Sequence, residues 1–121
     1  MFALEAVINA HRREHRELLL EALLRPADHA KAGAIVAELR SQLVDRAGIA
    51  ADLPQRVHVR GIDAAGVHLV LQCFCSSDLD QALELQQELL LQMSAAIEHH
   101  GAELAAPLLG LRSTPGGADR P

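Results

Sequence analysis

The sequence predicts an α+β fold in which two helices cover one face of an antiparallel sheet. Three observations lead to this prediction: two segments with helical spacing of apolar residues, two alternating segments between them, and a short apolar run after the second helix. The chain has 121 residues, half of them hydrophobic, which suffices for one domain with a modest core. Because it contains no Trp or Tyr and only two Phe, that core must consist of Leu, Val, Ile and Ala.

The first element, within residues 11–25 (HRREHRELLLEALLR), is ambiguous from its residues alone. Leu, Glu, Ala and Arg are strong helix formers, so propensity predicts a helix. The order of the later elements instead calls for a strand at this place. Local propensity and topology therefore disagree here.

Residues 30–44 have the spacing of an amphipathic helix. Asp28 is placed to cap the start of this helix, and Gly48 is placed to end it. The apolar positions recur at three- and four-residue steps: Ala32, Ile35, Val36, Leu39, Leu43 and Val44.

The period then changes to two, which predicts a β-hairpin. Residues 57–60 alternate between apolar and polar, and after the sequence GIDAAG the alternation resumes over residues 67–75. Asp63 and Gly66 fall in the turn region. The second strand is also partly apolar on its other face, which suits a central strand.

A second, longer amphipathic helix follows the hairpin. Ser77 or Asp78 can cap its start, and Gly101 falls where a left-handed residue would end it. Its predicted buried stripe is Leu79, Leu83, Gln86, Leu90, Met93 and Ile97, widened by Ala82, Leu89 and Ala96.

Two adjacent histidines, His99 and His100, stand in the last turn of that helix. Polar or cationic side chains are favoured there by the unpaired carbonyls and the helix dipole. Neighbouring helical residues point about 100° apart, whereas histidines that share a metal usually stand at i and i+4. We therefore interpret the pair as a solvated helix end and predict no metal site.

The apolar run PLLGLR, residues 107–112, suits a final strand, and residues 113–121 are expected to form a disordered tail. With a strand before residue 30, the order becomes β-α-β-β-α-β, a ferredoxin-like sandwich. The core is predicted to join both helices to one sheet face through eight residues: Ile35, Leu39, Val67, Leu69, Leu71, Leu83, Leu90 and Ile97.

Charge and composition exclude several classes of function. The net charge of −5 argues against sequence-independent binding of nucleic acid or of an anionic membrane surface. No apolar run approaches membrane length and no signal peptide is evident, so we expect a soluble chain. Arg12, Arg13 and Arg16 form the only basic cluster, interpreted as a solvated or subunit-facing surface.

The two cysteines, Cys73 and Cys75, are too few for a disulfide framework. On an alternating strand they project to the same face, where a bridge between them would be strained. We predict that both are buried, unbridged and without metal.

Several stretches together resemble the cytoplasmic C-terminal domain of the small-conductance mechanosensitive channel (MscS) family. The hairpin VHVRGIDAAGVHLVLQCFC is followed by a long helix and by IEHHGAELAAPLLGLR, in which Gly101, Glu103 and Pro107 match a family pattern. Upstream, VINAHRREHREL and KAGAIVAELRSQL are similar to further family segments, so the likeness covers about residues 2–112. The chain departs from the family in reading RPADHAK where a Tyr-Asp-x-Pro turn is common.

The resemblance implies a strand within residues 6–24 and three regions: residues 1–16 as the end of a middle β domain, residues 17–112 as the ferredoxin-like domain, and residues 113–121 as the tail. It also implies a structural, non-catalytic vestibule and oligomerisation domain of a mechanosensitive ion channel, on the cytoplasmic face of the plasma membrane. In the resembled family this domain forms a heptameric ring. Without the pore helices this chain cannot conduct ions, and we expect a smaller association.

Two alternatives stay open from the residues alone. One is a free-standing ferredoxin-like module that regulates a partner or binds a ligand. The other is a small enzyme, for which the sequence offers no coherent set of groups, so no catalytic or cofactor-binding residues and no cofactor are predicted. His11 and His15 have the spacing most typical of metal ligands, but on a strand they stand further apart.

Overall fold

A four-stranded antiparallel sheet and two helices make up the fold. The computed structural model describes residues 15–115. The elements are β1 (His15–Leu24), a 3-10 helix (Pro26–Lys31), α1 (Ala32–Leu43), β2 (Arg56–Asp63), β3 (Gly66–Ser76), α2 (Leu79–His99) and β4 (Leu109–Pro115). The strands lie in the order β2-β3-β1-β4. The predicted ferredoxin-like α+β fold is therefore confirmed.

β1 occupies a central position and pairs antiparallel with β3 on one side and β4 on the other. Every second residue from Leu18 to Leu24 is fully buried, and the residues between them are partly exposed. Leu19 and Leu23 lie on the second face, so apolar residues occur on both faces and hide the period of two in the sequence. The inferred strand is confirmed for residues 15–24, and residues 6–14 lie outside the described part.

The hairpin between β2 and β3 has the predicted turn. Asp63 Oδ1 accepts hydrogen bonds from the backbone N–H groups of Ala65 (2.9 Å) and Gly66 (3.2 Å). Gly66 has a φ of 143°, and a Cβ there would lie 1.9 Å from the carbonyl oxygen of Leu24 in β1. Glycine at this position therefore permits both the turn and the close approach of β1.

α1 differs from its prediction at both ends. It begins at Ala32 with Lys31 at the N-cap and no side-chain cap, so the assignment of Asp28 as the cap is wrong. Asp28 lies in the preceding 3-10 helix, and its carboxylate binds other partners. The helix ends at Leu43, and Asp45 takes the left-handed φ of 57°, so Gly48 does not end it.

α2 begins and ends as predicted. Asp78 Oδ1 accepts from the backbone N–H groups of Asp80 (2.9 Å) and Gln81 (3.3 Å), which confirms the N-cap. Gly101, with φ of 75°, follows the last turn. The helix therefore presents His99 and His100 at its carboxyl end.

The buried face of α2 is rotated from the predicted stripe. Leu83 is 48% exposed and Leu79 is also exposed, while Leu90 is partly buried. Of the eight predicted core residues, six are buried. The prediction for Leu83 is wrong, because it is exposed, and Leu90 is partly buried and packs against the edge of the core. The face that packs on the sheet consists of Ala82, Leu85, Leu89, Met93, Ala96 and Ile97.

β4 pairs with β1 with a shift in register between Leu19 and Leu20. It extends through Pro115, so residues 113–115, placed by sequence in the tail, belong to a strand. β1 likewise begins at His15, two residues before the predicted domain boundary. The division into three regions stays a prediction, because residues 1–14 and 116–121 lie outside the described part.

Candidate functional site

The two cysteines lie under the helices and not at a reactive site. Cys73 and Cys75 are both buried in the core and carry free thiols, which confirms that they are unbridged. Burial raises the pKa of the Cys73 thiol to about 12 and also raises the pKa of Cys75. Both thiols are therefore protonated at neutral pH and are poor nucleophiles and metal ligands.

Asp28 is the one charged side chain in the described residues that is fully buried, at 1% exposure. Its Oδ2 accepts from Arg25 Nε (3.0 Å) and from the backbone N–H of Glu103 (2.8 Å). Its Oδ1 accepts from Arg25 Nη2 (3.1 Å) and Lys31 Nζ (3.3 Å). The Arg25 hydrogen bonds, followed by the Glu103 N–H, hold the pKa of Asp28 well below its usual range. Every one of these partners belongs to the chain itself.

Further hydrogen bonds near Asp28 fix the loop after α2 against the end of β1. The N–H of Arg25 donates to the carbonyl of Glu103 (3.1 Å), and the N–H of Ala105 donates to the carbonyl of Leu23 (2.7 Å). Lys31 Nζ donates to the carbonyl of Gly101 at 2.8 Å. The family-like pattern that contains Gly101 and Glu103 therefore lies in a loop held by backbone hydrogen bonds.

An ion-pair cluster lies on the sheet face away from the helices. Glu21 Oε2 is 2.5 Å from Arg60 Nη2 and 3.4 Å from His68 Nδ1. His68 Nε2 lies 3.0 Å from Asp63 Oδ2 in the hairpin turn. Sequence reasoning missed this cluster, because its members come together only through the register of β1, β2 and β3. It holds acids and bases but no nucleophile.

A third polar cluster joins α1 to the end of α2. Glu38 Oε1 lies 3.0 Å from His99 Nδ1 and 2.8 Å from His100 Nε2. Hydrogen bonding to His99, with a smaller contribution from His100, lowers the pKa of Glu38. His100 lies at the C-cap with φ of −92° and ψ of 7°, outside the regular helix, so its ring approaches that of His99.

The sequence predicts that the side chains of His99 and His100, as neighbours on one helix, point apart. The structure places them at the helix end, as predicted, and brings both onto one carboxylate oxygen, which was not predicted. Glu38 lies 61 residues before His99, and only the packing of α1 beside α2 reveals their proximity. The prediction that the pair holds no metal rests on the two histidines alone, without Glu38.

The remaining candidates from the sequence are the basic cluster and the histidine pair near the N-terminus. Arg12, Arg13 and His11 lie outside the described residues. Arg16 Nη2 donates to the carbonyl of Ser77 at 3.5 Å, next to the start of α2. The pairing of His11 with His15 therefore stays untested.

A surface groove of about 530 Å³ lies between the end of α1 and β2. Arg40, which lines it, donates from Nε to the carbonyl of Val57 at 2.9 Å. Its other lining side chains in the described part include Arg56 and His58 but no carboxylate or thiol. This groove therefore lacks the paired groups that acid–base or nucleophilic catalysis requires.

Neither helix in the described range has the length and apolarity to cross a membrane.

Comparison with known proteins identifies channel structures that share this fold. A variant of MSL1 from Arabidopsis thaliana, an MscS-like channel solved by cryo-EM, matches with a TM-score of 0.70 and 18% identity over 78% of this chain and 36% of that chain. MSL1 itself gives a TM-score of 0.68 and 19% identity over 78% and 35%, and a wild-type structure gives 0.67 and 18% over 76% and 33%. No protein-family model and no curated protein matches the chain. The matches show a shared fold, and the chain spans about a third of those channel chains.

Proposed function

We propose that this chain is the cytoplasmic vestibule and oligomerisation domain of an MscS-like mechanosensitive channel. The observation that carries the proposal is the likeness of 78% of the chain to part of MSL1, with a TM-score of 0.70. The sequence resemblance points to the same family independently of that likeness. The proposed role is structural: the domain walls a chamber below the pore and contacts its neighbours in a ring.

The contacts of the loop after α2 support a role that depends on rigidity. Residues of the family-like pattern hold the end of α2 against β1, and the Asp28 cluster joins the same loop to the 3-10 helix that precedes α1. A domain that walls a chamber must keep its shape when its neighbours press on it. A structural role requires no catalytic group. The buried thiols, and the ion pairs whose partners belong to the chain itself, are consistent with such a role.

The proposed assembly has two levels. In the intact channel the domain forms part of a heptameric ring at the cytoplasmic face of the membrane, as the resembled family implies. The chain alone forms a smaller association and does not conduct ions. In the described part, β2 and β4 each have one edge open to strand pairing with a neighbour, because β1 and β3 are paired on both sides.

The proposal is tested by exchanging the matching part of MSL1 for this chain. We expect the chimera to assemble with the subunit number of MSL1, measured by mass photometry in detergent, and to give tension-gated currents in patches. A Gly61→Ala chimera is the matched control and should behave alike, since nothing lies within 4 Å of a Cβ there. A chimera that is folded by circular dichroism yet remains monomeric would overturn the proposal.

A further inference from the structure

The polar cluster between α1 and α2 has the composition of a transition-metal site. Glu38, His99 and His100 each offer one ligand atom, and these atoms all lie within 4.8 Å of one another. One carboxylate with two imidazoles is a ligand set found in catalytic zinc sites and is typical of borderline metal ions. The cluster takes no part in the function proposed above.

The distances are close to those of a shared coordination sphere. Zinc lies about 2.0–2.1 Å from imidazole nitrogen and about 2.0–2.2 Å from carboxylate oxygen. Two such ligands are about 2.9 Å apart when they subtend a right angle at the metal, and about 3.4 Å apart at the tetrahedral angle. The separation of 3.0 Å from Glu38 Oε1 to His99 Nδ1 falls at the lower end of this range, and the 2.8 Å to His100 Nε2 lies just below it. Because the three atoms lie within 4.8 Å and not within about 3.4 Å of one another, side-chain rotation brings them around the ion.

Glu38 is held in place by its own helix and by a neighbouring amide. Gln42 Nε2, one turn later in α1, donates to Glu38 Oε2 at 3.3 Å. The other oxygen, Oε1, is thereby directed to the imidazoles. A hydrogen bond to the second oxygen of a ligating carboxylate orients it and supports metal binding.

The two histidines are also positioned by the fold. The end of α2 is fixed by buried Ile97 and by the Lys31 Nζ hydrogen bond to the carbonyl of Gly101. His100 and Glu38 are each 25% exposed, whereas His99 is 71% exposed. Two ligands are therefore pre-positioned, and the third is reachable from solvent, which gives a metal ion an entry path.

We propose that Glu38, His99 and His100 bind one divalent transition-metal ion, with zinc as the first candidate and water completing the coordination. Metal–ligand bonds replace the two histidine–carboxylate hydrogen bonds, and any proton on the coordinating nitrogens is released to solvent. Hard ions such as Mg²⁺ and Ca²⁺ prefer oxygen ligands and are not held. The bound ion joins α1 to α2 and stabilises the native state.

Isothermal titration calorimetry of the chelator-treated full chain with ZnCl₂ tests the site. We expect one ion per chain, no binding of MgCl₂, and a rise in the thermal midpoint with zinc. Glu38→Gln and His100→Ala should each weaken zinc binding at least about tenfold. Glu38→Gln is nearly isosteric, and circular dichroism of both variants verifies that they are folded.

Two control variants separate this site from other histidines. His58→Ala removes an exposed histidine of β2, and His11→Ala removes one member of the histidine pair with i, i+4 spacing. Both variants should bind zinc as the parent does. The proposal is overturned by the absence of zinc binding, by unchanged affinity in His100→Ala, or by loss of binding in His11→Ala. A ratio of one ion per two chains, with dimerisation on zinc addition, would also contradict a site within one chain.

Discussion

At the scale of single residues, Asp28 is the clearest source of pH-dependent stability. The pKa of Asp28 is lower in the folded state than in the unfolded chain, where an Asp side chain has a pKa of about 3.9. Ionised Asp28 therefore stabilises the folded state. The contribution is therefore present above about pH 4 and is lost progressively as the pH falls toward the folded-state pKa.

Replacement of Asp28 by Asn removes this contribution and leaves Arg25 and Lys31 without their carboxylate. We expect the thermal midpoint of Asp28→Asn at pH 7 to fall by more than about 5 °C, and the gap to the parent to narrow at pH 3. Circular dichroism at both pH values measures the two midpoints. Asp80→Asn, at an exposed carboxylate, is the control and should change little. A gap of equal size at both pH values would contradict the assignment.

Gly66 supports a second prediction at this scale. Gly66→Ala places a methyl group against the carbonyl of Leu24 in a backbone conformation that disfavours L side chains, so the free energy of unfolding should fall by about 3 kcal/mol or more. Gly61→Ala, in β2 with open space around it, should stay within about 1 kcal/mol of the parent. Urea denaturation compares the two variants, and equal losses would argue against the close approach of β1.

At the scale of elements, the register of α2 is open to direct test. Leu89 is 1% exposed and Leu83 is 48% exposed, although both are leucines six residues apart on one helix. Leu89→Ala should lower the free energy of unfolding by about 2–5 kcal/mol, because it leaves a cavity in the core. Leu83→Ala should lower it by less than about 1 kcal/mol. The reverse ranking in urea denaturation would restore the stripe predicted from the sequence.

The elements show what local patterns can and cannot predict. The hairpin and the Asp78 and Gly101 signals were predictable, because a turn or a cap depends on residues close in sequence. β1 was not decided by its residues, because its strand state depends on pairing with β3 and β4 far along the chain. The face of α2 was misplaced because leucines surround much of the helix. The Glu38 cluster could not be predicted, because it forms only where α1 packs on α2, and the spacing of residues within one segment does not indicate that contact.

At the scale of the whole molecule, we expect the isolated chain to associate. Strands β2 and β4 leave two sheet edges, and Ile62 on β2 and Leu109 on β4 are exposed apolar residues. The sequence additionally places Phe2 and Leu4 in an apolar segment outside the described residues. Light scattering over a concentration series should show a dimer or another small oligomer. A strict monomer at high concentration would count against edge pairing, and a stable heptamer would show that this chain alone encodes the ring.

The central place of β1 has a consequence for synthesis on the ribosome. The first described strand needs both β3 and β4 as partners, and β4 is the last to emerge. Translation at about 5–20 residues per second leaves β1 without its full set of neighbours for several seconds. A nascent chain that stops before Leu109 leaves one edge of the ten-residue strand β1 unpaired, so stalled or truncated products should be the species that chaperones and proteases engage.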